Sequence, residues 1–394
     1  MTTIKSTNEP RHWDFPKGHH TLYKGLVIAI CIVALALLAA CGQGNTPEDE
    51  YEAPEPQEAH ETQEPQEPTP YEVEEAEVAP LPATEGIHGL LSVVEYGNNR
   101  AYIIGSIHVG QESWYPLSSV VEAAMDSADI FAFEIDLGAD GGPCLCEPET
   151  CDCGCEPDTN DCVCLLMELM FLPEATTLVD FLPPEDLKMF MESLSTFPIN
   201  LEAITIFRPT TIMELILYQI IAPTLGLSSE HSIDMYVFDR AQAMGRPTIG
   251  LTDFNDHIAF VSGMPEEYQF ATARYFSDYD TMLEEMEELA HVYQIQDILT
   301  LTQMVRTDLE EAYEAYHAGE ITAGGLGLAR YWHYTVGNYR SAFFARQIAD
   351  LLTQTQEPTT FFVTVGIAHL TREINVFYVL ESMGFEPQLL VNLG

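Results

Sequence analysis

Six short apolar runs, at 90–96, 101–105, 130–135, 247–251, 360–366 and 387–392, alternate with stretches in which apolar residues recur every three or four positions. Runs of that length bounded by turn residues read as strands, and the longer period reads as helix. Between the second and third runs, Leu117, Val120, Val121, Ala124, Met125 and Ala128 form one such helical stripe. The alternation gives an α/β (α+β) reading of residues 86–394, enough chain for one large domain or two intimate lobes. From Pro265 to Leu352 the pattern predicts several helices, an acidic subregion whose runs LEEMEEL and DLEEAYEAY read as solvated faces. His291, His317 and His333 occur there singly, as surface or capped residues rather than ligands.

The first 85 residues lack any such pattern. Residues 1–25 are polar and carry Lys5, Arg11, Lys17 and Lys24, after which LVIAICIVALALLAA runs for 15 residues and stops at Cys41. A membrane span needs about 20 apolar residues. The run instead suits the apolar centre of a secretory signal over 1–40. Its Leu-Ala-Ala-Cys ending resembles the lipobox of bacterial lipoproteins. That resemblance implies cleavage before Cys41, acylation of its thiol and amine, and attachment to the lipid bilayer on the extracytoplasmic face of the cell membrane. An uncleaved signal anchor is the alternative. Residues 41–85 are crowded with Glu and Pro and read as a disordered, extended tether. Across the chain, 15 Lys and Arg stand against 62 Asp and Glu, a formal net charge of −47. Such a field repels phosphate backbones and argues against nucleic-acid binding.

Two of the strand-like runs end alike. YIIGSIHVG places Gly105 and His108, and FFVTVGIAHL places Gly366 and His369, in the order Gly-X-X-His. Glycine permits a sharp or close backbone path at the strand end, and the imidazole then sits at the lip of the sheet. One such motif alone reads equally as a histidine capping a strand; two can bring a pair of metal ligands together. A third candidate is Glu134, inside the apolar run IFAFEID. A carboxylate there wants a cation, because an unpaired buried polar group costs about 2–7 kcal/mol. The alternative places Glu134 at the solvent-facing end of an edge strand.

With Arg340 in GNYRSAFFARQI, these motifs make the chain resemble the TraB/GumN family, related to the Tiki-type metalloproteases. LVDFLPPEDLKMF, FRPTTIMELI and SIDMYVFDRAQAMGRPTIGL fall between them in the family's order. The resemblance implies one domain over 86–394 with a mixed central sheet flanked by helices, and a metal site of His108, Glu134 and His369 served by Arg340. Two imidazoles and a carboxylate suit Mn, Co or Zn with positions open to water, and a divalent ion so held activates water against an amide. The implied function is a membrane-tethered, metal-dependent hydrolase of peptide or protein substrates. Arg340 stays protonated, so its role is to orient Glu134 or stabilise an oxyanion; Glu134 can be ligand or general base. The chain departs from the family at Leu251-Thr252-Asp253, Ser341, Arg372 and Asn375, around the rim of the site.

One segment is foreign to that pattern. The insertion at 138–164 carries Cys144, Cys146, Cys151, Cys153, Cys155, Cys162 and Cys164. Outside the cell such density reads as disulfides, with an odd thiol left over, while the C-X-C spacings also suit soft metals. A non-catalytic metal- or peptide-binding surface lipoprotein is therefore the rival reading.

Overall fold

The computed structural model describes residues 86–137, 170–252, 264–305 and 309–390. The expected signal segment and tether, Cys41, the cysteine-rich insertion and Asp253 lie outside the described residues. Six strands form one sheet: β1 (Ser92–Tyr96), β2 (Asn99–Ser106), β3 (Ile130–Ile135), β4 (Thr248–Thr252), β5 (Thr360–Gly366) and β6 (Gln388–Leu389), in the order β4-β3-β5-β2-β1-β6. All six expected strands are present. The last is shorter than the apolar run around it, and its two residues pair antiparallel with Ser92 and Val93.

β4, β3, β5 and β2 run parallel to one another, so each link between them must cross over the sheet. The helix Ser119–Asp126 lies between β2 and β3, the helix Ile233–Met244 precedes β4, and the helix Arg340–Gln354 precedes β5. Parallel strands covered on both faces become continuously apolar. β5 accordingly buries every residue after Thr360, and β3 every residue after Ile130. β1 and β2 form a two-residue hairpin, Tyr96 facing Asn99, in which Gly97 takes a left-handed φ of 61°.

Two of the helices start on side-chain caps that the sequence supplies. Ser232 caps Ile233–Met244 by accepting from the Met235 N–H, and Gly245 closes it at φ 63°. The acidic helix Tyr279–Ile295 is capped by Asp278 and buries Met282, Met286, Leu289 and Tyr293 along one face. Glu284 and Glu287 of its acidic run lie on the outer side of this amphipathic helix, but Glu285 is buried with the apolar face, so the solvated-face reading is corrected there. The Tyr293 hydroxyl donates to the Gly105 carbonyl at 2.7 Å, and Gln296 Oε1 accepts from the Gly89 N–H at 2.9 Å. The late helix is not uniformly α: Tyr331–Tyr339 winds as π-helix and passes directly into Arg340–Gln354. Such wide turns cost hydrogen-bond geometry and collect at functional sites.

Glu214, on the helix Pro209–Ile216, is buried, and burial pushes its carboxyl up to about 8 from the ordinary 4.5. The folded chain therefore holds a proton that the unfolded chain releases, and stability from this group falls as pH rises through that window. Glu214→Gln should melt progressively higher than wild type as pH climbs from 4.5 toward about 8, with no further gain above. A melting difference independent of pH would show that the carboxyl is ionised in the fold.

Candidate functional site

Because β3, β5 and β2 are parallel neighbours, their C-terminal ends open on the same edge of the sheet. Ser106 pairs with Gly366 and Phe133 with Thr364, so this register delivers His108, Glu134 and His369 to one place. Open parallel sheets bind ligands at that edge. The two Gly-X-X-His turns are also joined to each other. The Ile367 N–H of the second donates to the Ser106 carbonyl of the first at 2.8 Å. A Cβ on Gly105 would strike the Ile367 side chain and lie 3.1 Å from its Cα. The first glycine is there for close approach by the second turn.

Glu134 lies on an interior strand, between β4 and β5, so the edge-strand alternative is corrected. It is 7% exposed. Oε1 accepts the Gly366 N–H at 2.7 Å, and Oε2 accepts from Arg340 Nη2 at 3.0 Å. Arg340 is buried, with its guanidinium 4.9 Å from the Phe344 ring centre. Burial lowers its pKa and the Glu134 charge opposes that fall. His369 Nε2 lies 3.8 Å from Glu134 Oε1.

Both imidazoles are buried and held from behind. His108 Nδ1 lies 3.0 Å from Asp234 Oδ2, whose other oxygen accepts from the Ser106 hydroxyl at 2.9 Å. A carboxylate only accepts, so Nδ1 carries the hydrogen of this contact, and Nε2 is the ring nitrogen left for another partner. His369 Nδ1 faces the Ser341 hydroxyl at 3.0 Å, and its ring meets the edge of Phe344 at 5.0 Å. Nε2 of His108 and Nε2 of His369 are both buried without a hydrogen-bond partner. The two rings are polarised oppositely. Burial pulls the His108 pKa down, but Asp234 outweighs it and the net shift is upward. Burial holds His369 well below the ordinary imidazole range, and the charges of Arg340, Arg372 and His108 lower it further.

Two residues take roles the sequence did not assign. Asp234 was missed, though its signal was present: an acid in the first turn after the N-cap Ser232. Ser341, expected only as a departure at the rim, instead touches His369. Thr252 ends β4 half-buried, and Asn375 caps the helix Val376–Ser382 by accepting from the Tyr378 N–H. His291 and His317 are exposed, and His333 is half-buried against Tyr334.

Among the described residues, no group of three or more His, Cys, Asp or Glu side chains is arranged to hold a metal ion as the structure stands. The chemistry of the donors nevertheless fits a divalent ion. Two buried Nε2 atoms lack partners, each ring is fixed through Nδ1 by an oxygen, and a carboxylate adjoins them, which is how metal-binding histidines are ordinarily supported.

The architecture is a mixed α/β sheet carrying a buried His-Glu-Arg-His group at its parallel strand ends. The family described as TraB/PrgY/gumN matches residues 90–388, and the chain belongs to it. No curated protein and no solved structure matches the chain significantly.

Asp234→Asn tests the support of His108. An amide cannot accept from both Ser106 and Nδ1 as the carboxylate does, so the ring hydrogen should shift toward Nε2. Nitrogen-15 chemical shifts of His108 would record the change of tautomer; an unchanged spectrum would show that Asp234 does not set it.

Proposed function

We propose that the chain is an extracytoplasmic, membrane-tethered, metal-dependent hydrolase that cleaves peptide bonds. One observation carries the reading: two buried imidazoles from opposite ends of the domain, each anchored at Nδ1 and unpartnered at Nε2, beside a buried glutamate. His108, His369 and Glu134 would hold the ion, and Mn, Co or Zn suits their nitrogen and oxygen donors. Such an ion, when bound, lowers the pKa of its water and polarises a carbonyl.

The chain's own residues do the rest. Asp234 and Ser341 keep the two rings aimed. Arg340 and the Gly366 N–H fix both oxygens of Glu134, which is placed to hold the ion or to take a proton from water. Arg340 cannot serve as the base; its charge favours an oxyanion developing nearby. Burial of the group keeps bulk water away and strengthens each of these interactions. The engagement of His369 by Ser341 weakens the case for a non-catalytic relative, because the changed position still supports the ring.

The test is metal content and peptidase activity of the full chain in detergent. Wild type should bind Mn, Co or Zn stoichiometrically at this site, and a variant lacking residues 140–164 should keep that ion. The His108→Ala/His369→Ala double variant should lose both the ion and cleavage while its circular dichroism is unchanged. Stoichiometric binding that persists in the double variant made without 140–164 ends the proposal.

No helix among the described residues is long and apolar enough to cross a membrane. The proposed tether is instead a lipid on Cys41. Mass spectrometry of the membrane-extracted protein should find an N-terminal peptide that begins at acylated Cys41 and disappears in Cys41→Ser. A mature N-terminus upstream of Cys41 would rule the anchor out.

A further inference from the structure

Arg372 is a buried cation that the site as described does not use. It follows His369 by three residues, about one helical turn, at the end of the short helix Ala368–Thr371. It is 8% exposed. Nη1 donates to the Trp332 carbonyl at 3.3 Å, while the buried Nε has no hydrogen-bond partner. Among the described residues no carboxylate pairs with it, whereas Arg340 at the same site holds Glu134. Its charge reaches His369, where it helps to keep the imidazole neutral. The π-helix makes room for it: a Cβ on Gly337 would come within 3.2 Å of the Arg372 Cζ. The Trp332 indole N–H is likewise buried without a partner.

A buried guanidinium keeps its charge at neutral pH, and buried charges are ordinarily paired. What the position lacks among the described residues is an anion. The planar fork of arginine matches a carboxylate or a phosphate with two parallel hydrogen bonds. The formal charge of −47 sets the chain against polyanions and favours a singly charged group.

We propose that Arg372 is the specificity residue of this site, binding a carboxylate of the peptide substrate close to the bond that is cleaved. The carboxylate is either the α-carboxylate of the peptide's C-terminus or that of an acidic side chain. The proposal rests on the hydrolase reading and adds the substrate class to it.

Three fluorescent peptides of one sequence separate the sources: one with a free C-terminus, one amidated and neutral, and one amidated with an internal Gln replaced by Glu. Binding to the full chain in detergent is measured by anisotropy, with and without Mn, and then kcat and KM are measured for each. At least one carboxylate peptide should bind about tenfold to a hundredfold more tightly than the neutral one, as expected for a charge-assisted pair. The preferred peptide identifies the source. Arg372→Gln should erase the preference, and Arg372→Lys, which keeps the charge but not the fork, should keep part of it. Equal binding of all three peptides to wild type, binding of none, or an unchanged preference in a folded Arg372→Gln would overturn the proposal. The wild-type comparison needs no variant, so a misfolded substitution does not block the test. Carboxylate preference without cleavage would leave the receptor standing and end the hydrolase reading; cleavage without preference would do the reverse.

Discussion

The whole site turns on one carboxylate placed where a carboxylate is hardest to keep. Glu134 sits on an interior strand among phenylalanines, out of reach of bulk water. An isolated charge there would be driven to neutrality or out of the fold. It stays because Arg340 and the Gly366 backbone each satisfy one of its oxygens. Those two partners come from the late helix and from the turn after β5, so the same contacts that stabilise the charge fix both elements against β3. Breaking the pair from one side would strand the other charge, the costly outcome for a buried ion pair.

Around this anchor the two histidines occupy unlike electrostatic surroundings. His108 lies beside Asp234, and His369 lies beside two guanidiniums. The cluster is therefore negative on the β2 side and positive on the β5 side. The chain as a whole is strongly acidic, but buried arginines lower the pKa of His369, and solvent and salt screen buried charges poorly.

Much of this was legible in the sequence. The strands were readable because parallel strands buried on both faces are continuously apolar, and the two Gly-X-X-His endings stood out against them. Glu134 was legible for the opposite reason, as a charge in a run that should have none. What the sequence hid was pairwise. Asp234 is an ordinary first-turn acid until β2 and the helix Ile233–Met244 are brought together. Ser341 looked like a loss because its partner, His369, lies in another element. The π-helical stretch Tyr331–Tyr339 has no sequence signature of the kind that capping residues or glycines give to helix ends.

The sheet order has a consequence for synthesis. β5 lies between β3 and β2, yet it is the last of the parallel strands to leave the ribosome. Until it emerges, β2 and β3 have an empty lane between them, and the native pairing joins residues far apart along the chain. A nascent chain of this topology stays unassembled until it is almost complete.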